Sequence, residues 1–160
     1  MKKPTGECVI SQLFTLPEDV LLLEKQAVAE GFRFMTRLVM EWESAENRFD
    51  KAGECLFGAF SDGHLVGIAG LSHDPRAGPE VGRLRRVYVT PGWRGQRVGK
   101  ALVQRLLEQA LGRFRRVQLF TDTPEAAQFY IRCGFHPIQD EFSTHAHLLT
   151  DLLRPPRHGE

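Results

Sequence analysis

Arg94-Gly95-Gln96-Arg97-Val98-Gly99-Lys100-Ala101 sets two glycines among three basic residues within eight positions. It follows residues 84–89, an alternating run that reads as a strand and is stopped by Thr90-Pro91-Gly92. It opens residues 98–111, where Val98, Ala101, Leu102, Arg105, Leu106, Gln109 and Ala110 trace one helical face and Gly112 closes the helix. A glycine-rich turn between a strand and a helix is a generic anion site. The first amides of a helix lack intrahelical partners, and the helix dipole adds about 0.3–1 kcal/mol per exposed charge, up to about 2 when partly buried. Gly95 and Gly99 would let a phosphate approach the backbone, and Arg94, Arg97 and Lys100 can surround it with charge. The expected ligand is a phosphorylated cofactor; the ligand-free alternative is a basic helix start with a glycine-rich turn.

Other phosphate loops fit worse. A nucleoside-triphosphate loop needs Gly-Lys followed by Ser or Thr, but Gly99-Lys100 is followed by Ala101. The dinucleotide fingerprint needs G-x-G-x-x-G at the opening of a βαβ unit, and the glycines here are Gly92, Gly95 and Gly99.

Outward from the loop, the chain reads as one domain over residues 1–153 with a proline-rich tail at 154–160. Residues 56–60 and 65–69 are apolar runs flanking Asp62-Gly63, a strong hairpin signal. Residues 8–14 read as a first strand. A helix from Pro17 to Gly31 shows Leu21, Leu22, Lys25, Val28 and Ala29 as its stripe, and a second, over 34–47, shows Phe34, Leu38, Trp42 and Ala45. Residues 72–82 read as a loop and 117–121 as a strand. Thr123-Pro124-Glu125 opens a helix to about Cys133 that Gly134 ends; 135–138 and 145–149 read as closing strands.

With 160 residues, a net charge of +1 and 42% hydrophobic residues, the composition is that of a globular domain and makes no global case for nucleic acid or membrane. Three well-separated cysteines, Cys8, Cys55 and Cys133, suit reduced thiols, and no apolar signal region follows Met1-Lys2-Lys3, so a cytoplasmic location is expected. His145 and His147 share a strand face without an evident third ligand, so no metal is expected.

Three segments together resemble the GNAT superfamily of N-acetyltransferases. Gln96 to Ala101 matches its Q/R-x-x-G-x-G/A pattern. Arg86-Val87-Tyr88-Val89-Thr90-Pro91 resembles its fourth strand and following turn. Ala126-Ala127-Gln128-Phe129-Tyr130-Ile131-Arg132-Cys133-Gly134-Phe135 resembles its A-x-x-L/F-Y-x-x-x-G-F segment. The resemblance implies an α/β (α+β) fold with a mixed, V-shaped sheet of about six to seven strands flanked by about four helices. Acetyl-CoA would lie in the split between the fourth and fifth strands. Main-chain groups around Val87, Tyr88 and Val89 would hold the pantetheine arm, residues 94–101 the pyrophosphate, and Thr123 and Ala126 would contact the cofactor from the next helix. Two positions depart from the pattern: Arg97 and Thr123 stand where many members have glycine and asparagine.

Acetyl transfer to an amine requires deprotonating an ammonium of pKa about 10.4, stabilising an oxyanion and protonating a thiolate. The resemblance assigns the acid to Tyr130. Glu80 is the first candidate base and His73 the second; deprotonation through a water chain needs neither. A small-molecule amine is the first expectation for the acceptor, and a protein N-terminus or lysine the second. Phe32, Phe34, Met35 and Trp42 read as acceptor-pocket or core residues. Glu41, Glu43 and Glu46 read as an attraction for a cationic amine or a wet helix face. A homodimer is compatible with the resemblance. Two other classes compete: a non-catalytic acyl-CoA-binding module, and a nucleic-acid-binding domain built on Arg83, Arg85, Arg86, Arg94, Arg97, Lys100 and Arg105.

Overall fold

The apolar runs around Asp62-Gly63 fold as a tight hairpin. In the computed structural model, which describes residues 8–149, β1 (Val9–Gln12) pairs with β2 (Cys55–Ser61), and β2 with β3 (His64–His73), all antiparallel. Asp62 and Gly63 both carry positive φ, 50° and 79°, the twist that a two-residue hairpin turn demands. β3 pairs with β4 (Val81–Val89), and the sheet continues into β5 (Arg116–Leu119). Beyond it lie β7 (His145–Leu148) and β6 (His136–Pro137), in the order β1-β2-β3-β4-β5-β7-β6. β4 and β5 run parallel and share three register positions, Val81↔Arg116, Gly82↔Val117 and Arg83↔Gln118. Past Arg83 they part, and the edge of β4 faces a split. This is the mixed, V-shaped α/β (α+β) sheet that the sequence implies.

Two helices cover one face. α1 (Val20–Ala29) and α2 (Phe34–Glu43) bury Val20, Leu23, Ala27, Met35, Leu38 and Val39 against Leu56, Leu65, Ile68 and Tyr88. α3 (Val98–Ala110) covers the other face, laying Leu102, Val103 and Leu106 on Phe57, Ala69, Leu71 and Val117. Each fully buried leucine contributes about 1.5–3 kcal/mol. α4 (Pro124–Arg132) packs beside β6.

The α1 stripe read from sequence is the wrong one: Leu21, Leu22 and Val28 are exposed. The helix Val-Leu-Leu-Leu-Glu-Lys-Gln-Ala-Val-Ala is apolar around much of its circumference, so periodicity alone cannot select a face, and packing selects Val20, Leu23 and Ala27. On α3, Leu107 and Val103 replace Arg105 and Gln109, which are exposed. The 72–82 loop is shorter than expected, since β3 extends to His73 and β4 begins at Val81. The proposed tail at 154–160 and the boundary at 153 lie outside the described residues.

One irregularity positions the site. Between the pairs Gly70↔Arg85 and Ile68↔Tyr88, β3 advances by two residues while β4 advances by three, which makes a bulge on β4. Arg86 occupies it with φ 61°, a conformation costing about 1–3 kcal/mol for a non-glycine residue. Its buried guanidinium donates to Glu41 of α2 at 3.0 Å, which helps hold the bulge in place.

Candidate functional site

The loop starts from β4. A 3-10 turn (Pro91–Trp93) carries the chain away from the strand, and residues 94–97 turn into α3. Gly95 and Arg97 both adopt left-handed backbone conformations, φ 78° and 65°. Among the described residues, none of the six amides of residues 95–100 donates to another main-chain group; the first inward bond is Ala101 N–H to the Arg97 carbonyl at 3.0 Å. Six successive unpartnered donors at a helix start form a cradle for an extended anion such as a pyrophosphate. The two glycines differ in role. A Cβ at Gly95 would meet nothing within 4 Å, so Gly95 serves the turn's backbone; a Cβ at Gly99 would lie 3.2 Å from the Phe129 ring, so Gly99 serves packing rather than phosphate approach.

Arg94 does not supply charge to the cradle in the way its position in the motif suggests. Its guanidinium forms a bidentate pair with Glu30, at the C-terminal end of α1, at 2.5 and 2.8 Å, and its Nε donates to the Val89 carbonyl at 3.0 Å. Tyr88 OH donates to the same carboxylate at 2.5 Å. The Arg94 hydrogen bond holds Glu30 below the usual carboxylate range against the opposing effect of burial, and burial followed by the Glu30 bond pushes Tyr88 up to about 12. Because Glu30 is lowered in the fold, this brace stabilises above the ordinary carboxylate pKa and is lost as pH falls through the lowered value. Arg94 and Glu30 thus fix the loop to α1.

The free edge of β4 ends at this loop. Thr90 N–H donates to the Val66 carbonyl, so by alternation Tyr88 directs its main-chain groups to β3, while Val87 and Val89 direct theirs into the split. The Val89 carbonyl is shared with Arg94, which leaves its N–H as the open group. α4 closes the side nearest α3: Phe129 packs on Gly99, with Val89 on the same side of that glycine, and Tyr130 lies beside Phe129 with ring centroids 5.0 Å apart. Thr123 caps α4 by accepting the Ala126 N–H at 3.3 Å, with Pro124 in the first turn, so both groups first meet each other. Removing that cap in Thr123→Ala is expected to lower stability by about 1 kcal/mol, measured by urea unfolding. Gly134 ends the helix at φ 100°, and a Cβ there would lie 2.7 Å from His147 Nε2.

Tyr130 is half-buried between Phe129 and Phe135, and no protein group hydrogen-bonds its hydroxyl among the described residues. Burial, and secondarily Cys133, raises it above the ordinary tyrosine value, so it holds its proton at neutral pH. Burial likewise raises Cys8 and Cys133, and pushes Cys55 up to about 12, so none of the three thiols is ionised at neutral pH. The structure does not bring Glu80 or His73 to the split. Glu80 is exposed beside Arg115 at the closed end where β4 meets β5, and its carbonyl accepts the Arg115 N–H at 2.7 Å. His73 ends β3 with Nε2 2.8 Å from the Ala52 carbonyl. β4 advances about 3.3 Å per residue, so both stand several residues short of the bulge.

The base of the split carries polar groups that the sequence did not connect. Arg83 donates to Ser143 Oγ and to the Phe142 carbonyl, both at 3.1 Å, and pairs with Asp74 at 3.5 Å; Gln118 of β5 donates to Asp74 and Ser143. These contacts bind β4, β5 and the segment before β7 into one wall, beside a cleft of about 280 Å³ that includes Arg76, Arg116 and Asp140. The basic residues of the central sequence divide: Arg83 and Arg86 contact groups away from α3, while Arg105 lies over Phe57 beneath α3. Met35 is fully buried and Phe34 and Trp42 pack against the α1–α2 core, so these three belong to the core. Among the described residues no helix is long and apolar enough to cross a membrane.

The model of the Acetyltransferase (GNAT) family matches residues 21–135. The N-alpha-acetyltransferase RimI of Mycobacterium tuberculosis (strain ATCC 25618 / H37Rv) is 33% identical over 81 residues, 51% of this chain and 51% of its own length. The chain spans about half or less of the length of the curated relatives it matches. A crystal structure from Exiguobacterium sp. 255-15, assigned as an acetyltransferase, superposes with TM-score 0.83 at 24% identity, covering 92% of this chain and 97% of its own. A GNAT family N-acetyltransferase from Escherichia coli in complex with CoA superposes with TM-score 0.66 at 16% identity, covering 94% of this chain and 86% of its own. The two structures establish the fold, and the family model, covering most of the chain, establishes membership: this protein belongs to the GNAT acetyltransferase family.

Proposed function

We propose that the protein moves an acetyl group from acetyl-CoA directly to a primary amine within a ternary complex. The observation that carries this reading is the row of six unpartnered amides at 95–100, set against the free edge of β4. The amides hold the pyrophosphate, with Arg97 and Lys100 adding charge. Val87 and the Val89 N–H hold the pantetheine arm as an added strand would. The bound donor supplies a thioester carbonyl. Tyr130, un-ionised and with no hydrogen-bond partner for its hydroxyl among the described residues, gives a proton to the departing sulfur. Burial raises all three thiols, which weighs against a cysteine acyl carrier and favours direct transfer. Glu80 and His73 lie away from the split, so the amine loses its proton through water.

The acceptor is proposed to be a small-molecule amine. The likeness to an N-alpha-acetyltransferase favours a protein N-terminus as the second reading. The test is acetyl-CoA-dependent thiol release over a panel of small amines and peptides. Release with small amines supports the first reading, release with peptides alone supports the second, and hydrolysis with no acceptor dependence removes both.

A further inference from the structure

On the β4 face away from α3, three arginines stand at the opening of the split. Gly82 and Leu84 face the α3 side, where Phe114 and Leu71 meet them. Arg83 and Arg85 therefore share the opposite face, and Arg86 reaches α2 from the bulge. Arg85 pairs in register with Gly70, whose missing side chain leaves room for the Phe49 ring; a Cβ there would lie 2.6 Å from it. This places Arg85 on the α1–α2 face, two residues past the last pairing with β5.

The three guanidinium groups are not matched by three carboxylates. Arg86 takes Glu41 and Arg83 takes Asp74. Arg85 is half-buried, and among the described residues it forms neither an ion pair nor a side-chain hydrogen bond. The neighbouring carboxylates are already engaged: Glu54 accepts the Lys51 and His73 amides, and Asp74 accepts Arg83, Gln118 and the Arg76 amide. Arg86 Nε is a second donor here, fully buried and without a partner. Burial, and next the positive field of Arg86, disfavours the charged form of Arg85 on balance, against the attraction of Glu41 and Glu54, neither of which pairs with it. A half-buried cation that no carboxylate contacts directly among the described residues gains from an anion that reaches it.

Position along the strand fits. With the donor along the free edge of β4, Arg85 stands just past the last pair that β4 makes with β5, where the split begins. We infer that Arg85, with Arg86 and Arg83 beside it, binds an anionic group on the acceptor, so that the amine acetylated carries a carboxylate or a phosphate. This rests on the acyl-transfer reading proposed above.

The test compares wild type with Arg85→Gln on matched acceptors: ethanolamine against phosphoethanolamine, and glycinamide against glycine. The ratio of kcat/KM between the anionic and neutral member of each pair is compared across the two proteins, so differences in amine basicity cancel. In the variant this ratio is expected to fall about 10- to 100-fold, as for loss of a hydrogen bond to a charged group. The pair that responds more tells phosphate from carboxylate. Folded stability is expected to hold or rise, because an unmatched cation is removed. An equal loss for both members overturns the proposal, as does a wild type that prefers the neutral member of both pairs. A second measurement is independent of turnover: the rise in Tm produced by inorganic phosphate or acetate, read as the difference between wild type and Arg85→Gln. If no amine releases thiol, acyl transfer fails. This difference then decides the anion site alone, supporting it if present and overturning it if absent.

Discussion

Gly95→Val is expected to weaken coenzyme A binding by about 100-fold or more while leaving the protein folded. The substitution meets no steric obstacle, since nothing lies within 4 Å of the new Cβ. Its whole effect comes through the backbone. Gly95 has φ 78°, and a β-branched residue is strongly disfavoured there, by about 1–3 kcal/mol. The turn must either hold that strain or relax, and relaxing turns away the amides that follow. A hydrogen bond to a charged group is worth about 1.5–3 kcal/mol, so misaligning two of six donors accounts for the loss. Isothermal titration of coenzyme A, with a thermal melt in parallel, measures both parts. Gly99→Ala is the contrasting case: its Cβ presses on Phe129, so it should disturb packing first.

The second large effect is on turnover. Tyr130→Phe is expected to reduce kcat by about 100-fold, within the range for loss of a general acid, with coenzyme A affinity nearly unchanged. The hydroxyl has no protein hydrogen-bond partner among the described residues, so its removal orphans nothing and stability should stay within about 1 kcal/mol. Because burial raises Tyr130, it remains an acid throughout the neutral and mildly alkaline range, and the wild-type rate should show no loss from tyrosine ionisation below about pH 10. Stopped thiol release at saturating acceptor measures the effect; a variant with wild-type kcat would remove Tyr130 from the chemistry.

The local elements of the proposed donor side were legible in the sequence because their determinants are local. The Asp62-Gly63 turn, the residue 94–101 loop, the Thr123-Pro124 cap and the Gly134 stop each act within a few residues. The contacts that set the loop and the arginine face in place were not, because they join distant segments: Glu30 with Arg94, Glu41 with Arg86, Arg83 with Ser143. The β4 bulge carries no glycine to announce it; Arg86 adopts positive φ under tertiary constraint. That bulge and the strand direction leave Glu80 and His73 short of the split. The α1 stripe failed for a different reason, since a helix apolar on several sides has no unique face until the sheet is present.

The residue 95–100 amides and the β4 edge together are proposed to form an acyl-CoA cleft. Calorimetric titration with coenzyme A and with pantetheine, which shares the arm but lacks the pyrophosphate, tests it most directly. Saturable binding of coenzyme A with pantetheine weaker by about 100-fold or more is the predicted result, given the strength of charge-assisted amide bonds. No binding of coenzyme A, or equal binding of the two, would contradict it.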